Sequence, residues 1–190
     1  MVIKSATALT EDSPNTFFGS FTKDLIFSKM WLCSELHKVC NTAELNNFSE
    51  LTILGSWYGN MLLIMGHWPF KFSKAVLIDI DPQLIRKTKY LFSNKIESVF
   101  PICQDANNHD YSSAKNQLIV NTSCNDINGA DWFNKIPTGS MVALQSRNDR
   151  ESPELFNQRY PMAKTYFSGS RMFNDPEGSY RRLMKIGTAR

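Results

Sequence analysis

The sequence predicts an α/β protein of three layers, in which helices cover both faces of a mainly parallel β-sheet. Strand and helix patterns alternate from residue 51 to residue 146, as is typical of βαβ units. Two β-prone runs then follow each other, separated by "NDPEG". Turn-forming residues between two strands indicate an antiparallel hairpin. The length of 190 residues suits one domain.

Residues 1–20 are predicted to form an arm before a single domain of residues 21–190. The arm is polar and contains the helix-breaking run "DSPN". It has no long apolar run of the kind that a secretory signal needs. No segment approaches the roughly 20 apolar residues of a membrane span. We therefore expect no membrane partner.

A helix is predicted over residues 21–41, because apolar residues recur there at helical spacing. These residues form a core face and are Leu25, Leu32, Leu36 and Val39. Lys29 lies on the same face. Its side chain either extends to the rim of the core or reaches into a pocket.

The central region is predicted to hold five strands, which are "LTILG", "KAVLIDI", "SVFPICQD", "NQLIVNTS" and "SMVALQS". Helices are predicted over "NMLLIMGHW" and "PQLIRKTKYLFSN" and within "GADWFNKIPTG". Asp81 and Pro82 mark the start of the second helix, because aspartate is a preferred cap and proline fits the first helical position. The hairpin strands are "KTYFSGSRMF" and "SYRRLMKIG".

The run "GSWYG" follows the first of these strands. In an open parallel sheet, ligands bind beyond the carboxyl ends of the strands, so this turn is a candidate site. Gly55 would allow a tight turn and Gly59 a close approach of backbone and ligand. Ser56 and Trp57 lie between them. Trp57 could pack against a ligand or beneath the loop, and a plain loop is equally compatible with two glycines at this spacing.

Carboxylates end the next two strands. Asp79 ends "AVLID" and can accept hydrogen bonds from both hydroxyls of a ribose; an ordinary polar strand end is the alternative. Asp105, in "CQDANN", could accept a hydrogen bond from an adenine amino group. The Ala106 amide could meet a ring nitrogen. A local turn around the Asp105 side chain is the alternative there.

The glycine turn, the two carboxylates, "LIVNTS" and the terminal hairpin together resemble the class I S-adenosylmethionine-dependent methyltransferases. The resemblance covers about residues 50–187. It implies a Rossmann-like methyltransferase fold and S-adenosyl-L-methionine as the cofactor. It also implies a role for each candidate residue: the methionine part beside Gly55, Ser56, Trp57 and Gly59, the ribose at Asp79, and the adenine at Asp105 and Ala106. The runs "ILGSWYG", "LIDIDP" and "YRRLMKIG" resemble a phage-associated branch of that family.

Two departures from the family pattern leave other functions open. Ile53 stands at a usually acidic position, which weakens capture of the cofactor's ammonium group. Trp57 stands at a usual glycine, where it could pack against the cofactor or block it. The fourth strand ends in "NTSC", and amino methyltransferases carry Asn/Asp-Pro-Pro-aromatic there. The missing motif argues against adenine or cytosine in DNA as the target. Nucleic acid is therefore a possible acceptor but is not indicated. The alternatives to methyl transfer are aminocarboxypropyl transfer or lysis of the same cofactor, and a non-catalytic binding module.

Asn121 and Lys29 are the candidate catalytic residues. Asn121 can position a substrate by hydrogen bonds but cannot act as a base. Lys29 would orient an anionic or carbonyl acceptor in the same cleft, with help from Arg182. Asp126 and His109 are candidate bases, each with a surface-loop alternative.

Charge and cysteine content add two expectations. The net charge is +3, too small to indicate nucleic acid. From residue 147 onward there are nine Lys or Arg and five Asp or Glu. That excess is either a solvated surface or a docking face for an anionic substrate. Four cysteines without a CxxC pair favour reduced thiols in the cytoplasm and no metal. The acceptor and the oligomeric state are not predicted.

Overall fold

The structure is a computed structural model, and it describes residues 21–45, 47–95, 97–113, 116–175 and 178–190. The predicted arm of residues 1–20 lies outside this part of the chain.

A seven-stranded sheet with the strand order β3-β2-β1-β4-β5-β7-β6 forms the centre of the molecule. Its strands are β1 (Asn47–Leu54), β2 (Lys71–Asp79), β3 (Val99–Cys103), β4 (Gln117–Asn121), β5 (Met141–Arg147), β6 (Met162–Asp175) and β7 (Gly178–Ala189). Strands β1 to β5 are parallel. Strand β7 runs antiparallel to both β5 and β6. The predicted sheet and its C-terminal hairpin are confirmed.

Side-chain alternation along the strands gives the sheet two buried faces. In β1, Leu51 and Ile53 point to one core and Leu54 to the other. In β2, Leu77 and Ile78 divide in the same way. Successive residues of a strand point to opposite faces, so both faces need a covering layer.

Helices supply that layer on both sides. They are α1 (Lys23–Thr42), α2 (Asn60–Met65), α3 (Pro82–Leu91), α4 (Asp131–Asn134) and α5 (Pro153–Arg159). Leu32 of α1 and Met61 of α2 belong to one core, and Trp132 of α4 and Phe156 of α5 to the other. The three-layer prediction is therefore confirmed. In the described part of the chain, no helix combines the length and hydropathy that a membrane span requires.

Several element boundaries differ from the prediction. Strand β1 begins four residues early, where Asn47 pairs with Lys71. Helix α2 ends at Met65 instead of continuing to residue 68. Leu25, assigned to the core face of α1, is half-buried and lines a cleft. Helix α5 was not predicted, although Ser152 caps it and Pro153 occupies its first position.

Long-range contacts hold α1 across β5 and β7. The Gln145 side chain in β5 donates a hydrogen bond to the Ser28 carbonyl at 2.9 Å. The Tyr180 hydroxyl in β7 donates to the Asp24 carboxylate at 2.7 Å. These contacts place Lys29 of α1 beside the C-terminal ends of the parallel strands.

The Asp81 cap of α3 allows a first prediction. Its Oδ1 accepts hydrogen bonds from the backbone N–H groups of Gln83, at 2.7 Å, and Leu84, at 3.4 Å. Because Asp81→Ala removes this acceptor, we expect urea denaturation to show a loss of about 1 kcal/mol in unfolding free energy. Asp81→Asn is the matched control, since asparagine caps as well as aspartate. Equal losses in both variants would contradict the capping role.

Candidate functional site

A cleft of about 550 Å³ opens at the C-terminal ends of the parallel strands. Its position at the switch point, where β1 lies between β2 and β4, is where ligands bind in doubly wound sheets. The volume suits a small-molecule ligand. The lining consists of Leu25, Lys29, Gly55, Trp57, Asn60, Ile78, Asp79, Ile80, Gln104, Asp105, Ala106, Thr122, Ser123, Asn125, Asp126, Ile127, Asn128, Arg147, Arg150 and Arg182. Of the predicted cofactor residues, Ser56 and Gly59 are outside this set.

The two glycines of the turn have different reasons to be glycine. Gly55 adopts a φ of +59°, and a Cβ there would make only ordinary contact with Ser123. Gly59 adopts a φ of +75°, and its Cβ would lie 2.6 Å from a ring carbon of Phe92. Gly59 therefore lets the turn pack against the residue after α3. Ser56 is buried within the turn, and its hydroxyl has no hydrogen-bond partner among the described residues.

Trp57 occupies the middle-glycine position in a backbone conformation that favours glycine. Its φ is +48°, a rare value for a bulky residue that costs about 1–3 kcal/mol. Two hydrogen bonds hold it there: its N–H donates to Asp79 Oδ2 at 2.9 Å, and its carbonyl accepts from the Thr88 hydroxyl at 2.8 Å. The indole is 39% exposed and lines the cleft instead of packing beneath the loop.

Asp79 is buried at the end of β2 and holds the neighbouring backbone. Besides the bond from Trp57, its Oδ1 accepts a hydrogen bond from the Asp81 N–H at 3.1 Å. A carboxylate offers about four acceptor positions, so two remain. Because the side chain also lines the cleft, these positions can receive the two hydroxyls of a ribose.

Asp105 forms a local turn, which is the alternative to adenine binding at this position. Its Oδ1 accepts a hydrogen bond from the Asn107 N–H at 2.8 Å and caps the single turn Ala106–Asn108. Its second oxygen makes no hydrogen bond among the described residues. Both Asp105 and Ala106 line the cleft, so the turn also presents an acceptor to a ligand.

Asn121 is outside the cleft lining, whereas Thr122 and Ser123 belong to it. Asn121 is fully buried, and its Oδ1 accepts a hydrogen bond from the Ser123 N–H at 2.9 Å. Its amide nitrogen has no partner among the described residues. In this position Asn121 shapes the loop after β4, and its role toward a substrate stays a prediction.

Lys29 reaches into the cleft and does not extend to the rim. Its side chain is 8% exposed and belongs to the lining. Burial, together with the nearby charge of Arg182, lowers the pKa of Lys29 to about 8, against a smaller opposing effect of Asp24. In the described part of the chain, its ammonium group makes no hydrogen bond or salt bridge.

Three arginines line the same end of the cleft, of which only Arg182 was a candidate beforehand. Arg182 is 6% exposed and donates to the Thr122 carbonyl at 3.0 Å. Arg147 pairs with Asp149 at 2.9 Å, and Arg150 pairs with Asp126. The signal for Arg147 and Arg150 was the basic excess that begins at residue 147.

The candidate bases have distinct surroundings. Asp126 lines the cleft but pairs with Arg150 and is 58% exposed. His109 is outside the lining, and burial lowers the pKa of its imidazole. Cys124 is fully buried, and burial raises the pKa of its thiol far above neutrality. Thiolates are the nucleophilic form of cysteine, so Cys124 is unsuited to nucleophilic catalysis.

Comparison with known proteins identifies the fold. No protein-family model and no curated protein matches the chain. Among solved structures, the N-methyltransferase NodS from Bradyrhizobium japonicum, in complex with S-adenosyl-L-homocysteine, is similar with a TM-score of 0.66 and 10% identity over 94% of both chains. A putative RNA methyltransferase from Pyrococcus horikoshii has a TM-score of 0.56 and 10% identity over 83% of both chains. An rRNA methylase from Streptococcus thermophilus has a TM-score of 0.55 and 14% identity, covering 81% of this chain and 94% of that one.

These similarities establish the fold. The seven-stranded sheet, its strand order and its antiparallel end belong to the Rossmann-like methyltransferase fold. At such low identity, the activities of the neighbours do not transfer with the fold. What this chain binds must therefore be argued from its own cleft.

Proposed function

We propose that the chain is an S-adenosylmethionine-dependent methyltransferase. One observation carries the proposal: Asp79 and Asp105 line one cleft beside the Gly55 turn, each with hydrogen-bond acceptors to spare. The adenosine part of the cofactor requires acceptors at two neighbouring strand ends. The hydrogen bonds from Trp57 and Asp81 use only part of the acceptor capacity of Asp79, and a ribose would use the rest.

The residues fit the adenosine part better than the amino-acid part. Asp79 would hold the ribose, and Asp105 with Ala106 the adenine. At the acidic position of the family turn, Ile53 is 1% exposed and packs in the core. It offers no carboxylate to the cofactor's ammonium group, which leaves that group to backbone carbonyls at the turn.

When bound, S-adenosylmethionine supplies a methyl group to an acceptor nucleophile, and the electrons of the broken carbon–sulfur bond stay on sulfur. The chain's contribution is positioning. Trp57 would cover the ligand with an apolar wall, which excludes water. Thr122 and Ser123, which follow β4, would fix the acceptor by hydrogen bonds. Asp126 would take a proton from the acceptor once its pair with Arg150 opens.

A second candidate is transfer of the aminocarboxypropyl group of the same cofactor, or its lysis. Ile53 favours this candidate, because a looser hold on the amino-acid part suits chemistry at a different carbon of the sulfonium. The two reactions leave different nucleosides: methyl transfer leaves S-adenosylhomocysteine, whereas the alternative leaves 5′-methylthioadenosine.

Calorimetric titration with S-adenosylhomocysteine and with 5′-methylthioadenosine tests the proposal. We expect a one-to-one complex with each compound, because both contain the adenosine that Asp79 and Asp105 would hold. Absence of binding by both would overturn the proposal in favour of a non-catalytic module. Incubation with S-adenosylmethionine and a cell extract, followed by chromatography of the nucleoside product, then separates methyl transfer from the alternative.

We place this activity in a reducing cytoplasm. All four cysteines, Cys33, Cys40, Cys103 and Cys124, are free thiols, which supports that setting. The acceptor is a small molecule or a macromolecule. The resemblance of the turn and of "YRRLMKIG" to a phage-associated branch supports a phage origin for the chain.

A further inference from the structure

Two buried cations share one end of the cleft, and no carboxylate of the described residues pairs with either. Lys29 and Arg182 are 8% and 6% exposed. Among the described residues, Lys29 has no hydrogen bond or ion pair, and Arg182 donates to the Thr122 carbonyl while its Nε, also buried, has no partner. Buried charges in proteins are ordinarily paired, so this arrangement calls for an anion.

Asp24 is the carboxylate whose charge acts on Lys29, but among the described residues it forms no salt bridge with Lys29 or Arg182. Asp24 accepts its hydrogen bond from the Tyr180 hydroxyl at 2.7 Å. It lies outside the cleft lining and faces a different groove. Its charge acts on Lys29 from a distance, and Arg182 opposes it. Two positive charges thus reinforce each other at this end of the cleft.

The sheet concentrates positive charge at the same place. Arg182 of β7 stands directly opposite Arg147 of β5 and Arg171 of β6. Like charges in directly opposed cross-strand positions destabilise a sheet. Arg147 is paired with Asp149, and its guanidinium lies 4.1 Å from the Tyr180 ring centre. The Arg182 guanidinium lies 5.5 Å from the same ring centre and hydrogen-bonds the Tyr180 side chain, but in the described part of the chain it has no carboxylate partner.

The cleft is therefore polarised along the row of strand ends. Asp79 ends β2 and Asp105 follows β3 at one end of the row, and Arg147 and Arg182 belong to β5 and β7 at the other. A nucleoside held at the acidic end leaves the basic end to a second, anionic group.

We propose that Lys29 and Arg182 together bind one anionic group, a carboxylate or a phosphate, of the methyl acceptor. Arg182 would present its planar fork to two oxygens, and Lys29 would add a point charge from the opposite wall. Arg147 stands at the rim. The inference rests on the proposed function, and the acceptor class it names is a small anionic metabolite or a phosphorylated end of a larger molecule.

The cofactor itself carries a carboxylate, so the experiment must separate two sources of the same chemistry. Inorganic phosphate and acetate are titrated by calorimetry into the protein saturated with S-adenosylhomocysteine. We expect one binding site per chain, with affinity at least tenfold lower in Lys29→Met and in Arg182→Met. Arg171→Met is the matched control, because it removes a cross-strand neighbour's charge outside this cleft, and its affinity should equal that of the wild type.

The pH dependence of anion binding distinguishes direct contact with Lys29 from a structural effect of its replacement. In the unliganded protein the pKa of Lys29 is about 8. An anion that binds above that pH therefore requires the Lys29 amine to take up a proton. Between pH 8 and 9 the wild-type affinity should fall about fivefold, and the binding heat should depend on the ionisation enthalpy of the buffer. Both effects should vanish in Lys29→Met and persist in Arg171→Met.

Each remaining outcome has one meaning. If Lys29→Met weakens S-adenosylhomocysteine at least tenfold but not 5′-methylthioadenosine, these residues hold the cofactor's carboxylate and the inference is overturned. Failure of both anions to bind the saturated wild type also overturns it. If neither nucleoside binds but phosphate binds the free protein in a Lys29-dependent manner, the anion site is supported and the proposed function fails.

Discussion

Replacing Lys29 with methionine is expected to raise the unfolding free energy by about 3 kcal/mol at pH 7. Burial and the charge of Arg182 move the pKa of this amine from 10.5 to about 8. Each unit of difference in pKa between the folded and unfolded states corresponds to about 1.4 kcal/mol. Methionine keeps an unbranched apolar stem and removes the buried charge. Urea denaturation of both proteins at pH 7 measures the difference.

The pH dependence of the unfolding free energy tests the lowered pKa of Lys29 independently. Because the folded state loses the Lys29 proton at a lower pH than the unfolded state, the unfolded state binds more protons between about pH 8 and 10.5. Wild-type stability should therefore rise relative to the variant across this interval, and be constant relative to it below pH 8. The charges that act on Lys29 are Arg182 on β7 and Asp24 on α1.

Lys38→Met is the matched control on the same helix. Lys38 has a 66% exposed side chain and pairs with Glu35 on the surface of α1. Surface pairs contribute about 0–1 kcal/mol, so this variant should not be stabilised. A Lys29→Met protein that is less stable than the wild type would show that the lysine is already paired in the folded state.

The gain in stability should come with a loss of function. Sites that bind ligands retain unfavourable groups which the fold alone would discard. Lys29→Met should thus be more stable, bind S-adenosylhomocysteine normally, and fail to hold the acceptor anion. Lys29 would therefore lower the stability of the unliganded protein and raise its affinity for the acceptor.

Local sequence signals predicted the sheet because each of its elements is marked locally. Apolar runs ending in Asp79 and Asp105 gave β2 and β3, and "NDPEG" gave the β6–β7 hairpin. The cap at Asp81 was readable for the same reason. Helix α5 carries an equivalent signature in Ser152 and Pro153, but beyond Pro153 its apolar residues are only the adjacent Leu155 and Phe156, which show no helical periodicity.

The geometry of the site depends on contacts between distant parts of the chain, which no local sequence pattern indicates. Whether Lys29 lies at a rim or in a cleft is decided by what packs beside α1, namely Tyr180 and Gln145, more than 100 residues away. The left-handed conformation of Trp57 was equally hidden, because it follows from hydrogen bonds to Asp79 and Thr88. The place of Trp57 in the turn follows from the local sequence, whereas its backbone conformation follows from these long-range hydrogen bonds.

Replacing Asp79 with alanine is expected to weaken S-adenosylhomocysteine binding by about 1.5–3 kcal/mol, the cost of losing hydrogen bonds to a charged group. Stability should fall as well, because the N–H groups of Trp57 and Asp81 lose their acceptor. An unsatisfied buried donor costs about 1–3 kcal/mol. Trp57, which is held at a φ of +48°, would also lose one of the two hydrogen bonds that fix its backbone.

Because loop distortion alone could weaken binding, the decisive measurement compares adenosine with 2′-deoxyadenosine. The wild type should prefer adenosine, since Asp79 would accept a hydrogen bond from the 2′-hydroxyl. In Asp79→Ala the two nucleosides should bind equally, whatever the state of the loop. Asp81→Ala is the matched control: it loses the helix cap, and should lose stability while retaining the preference. If Asp79→Ala keeps the full preference for adenosine, Asp79 is a structural residue of the turn and the ribose lies elsewhere.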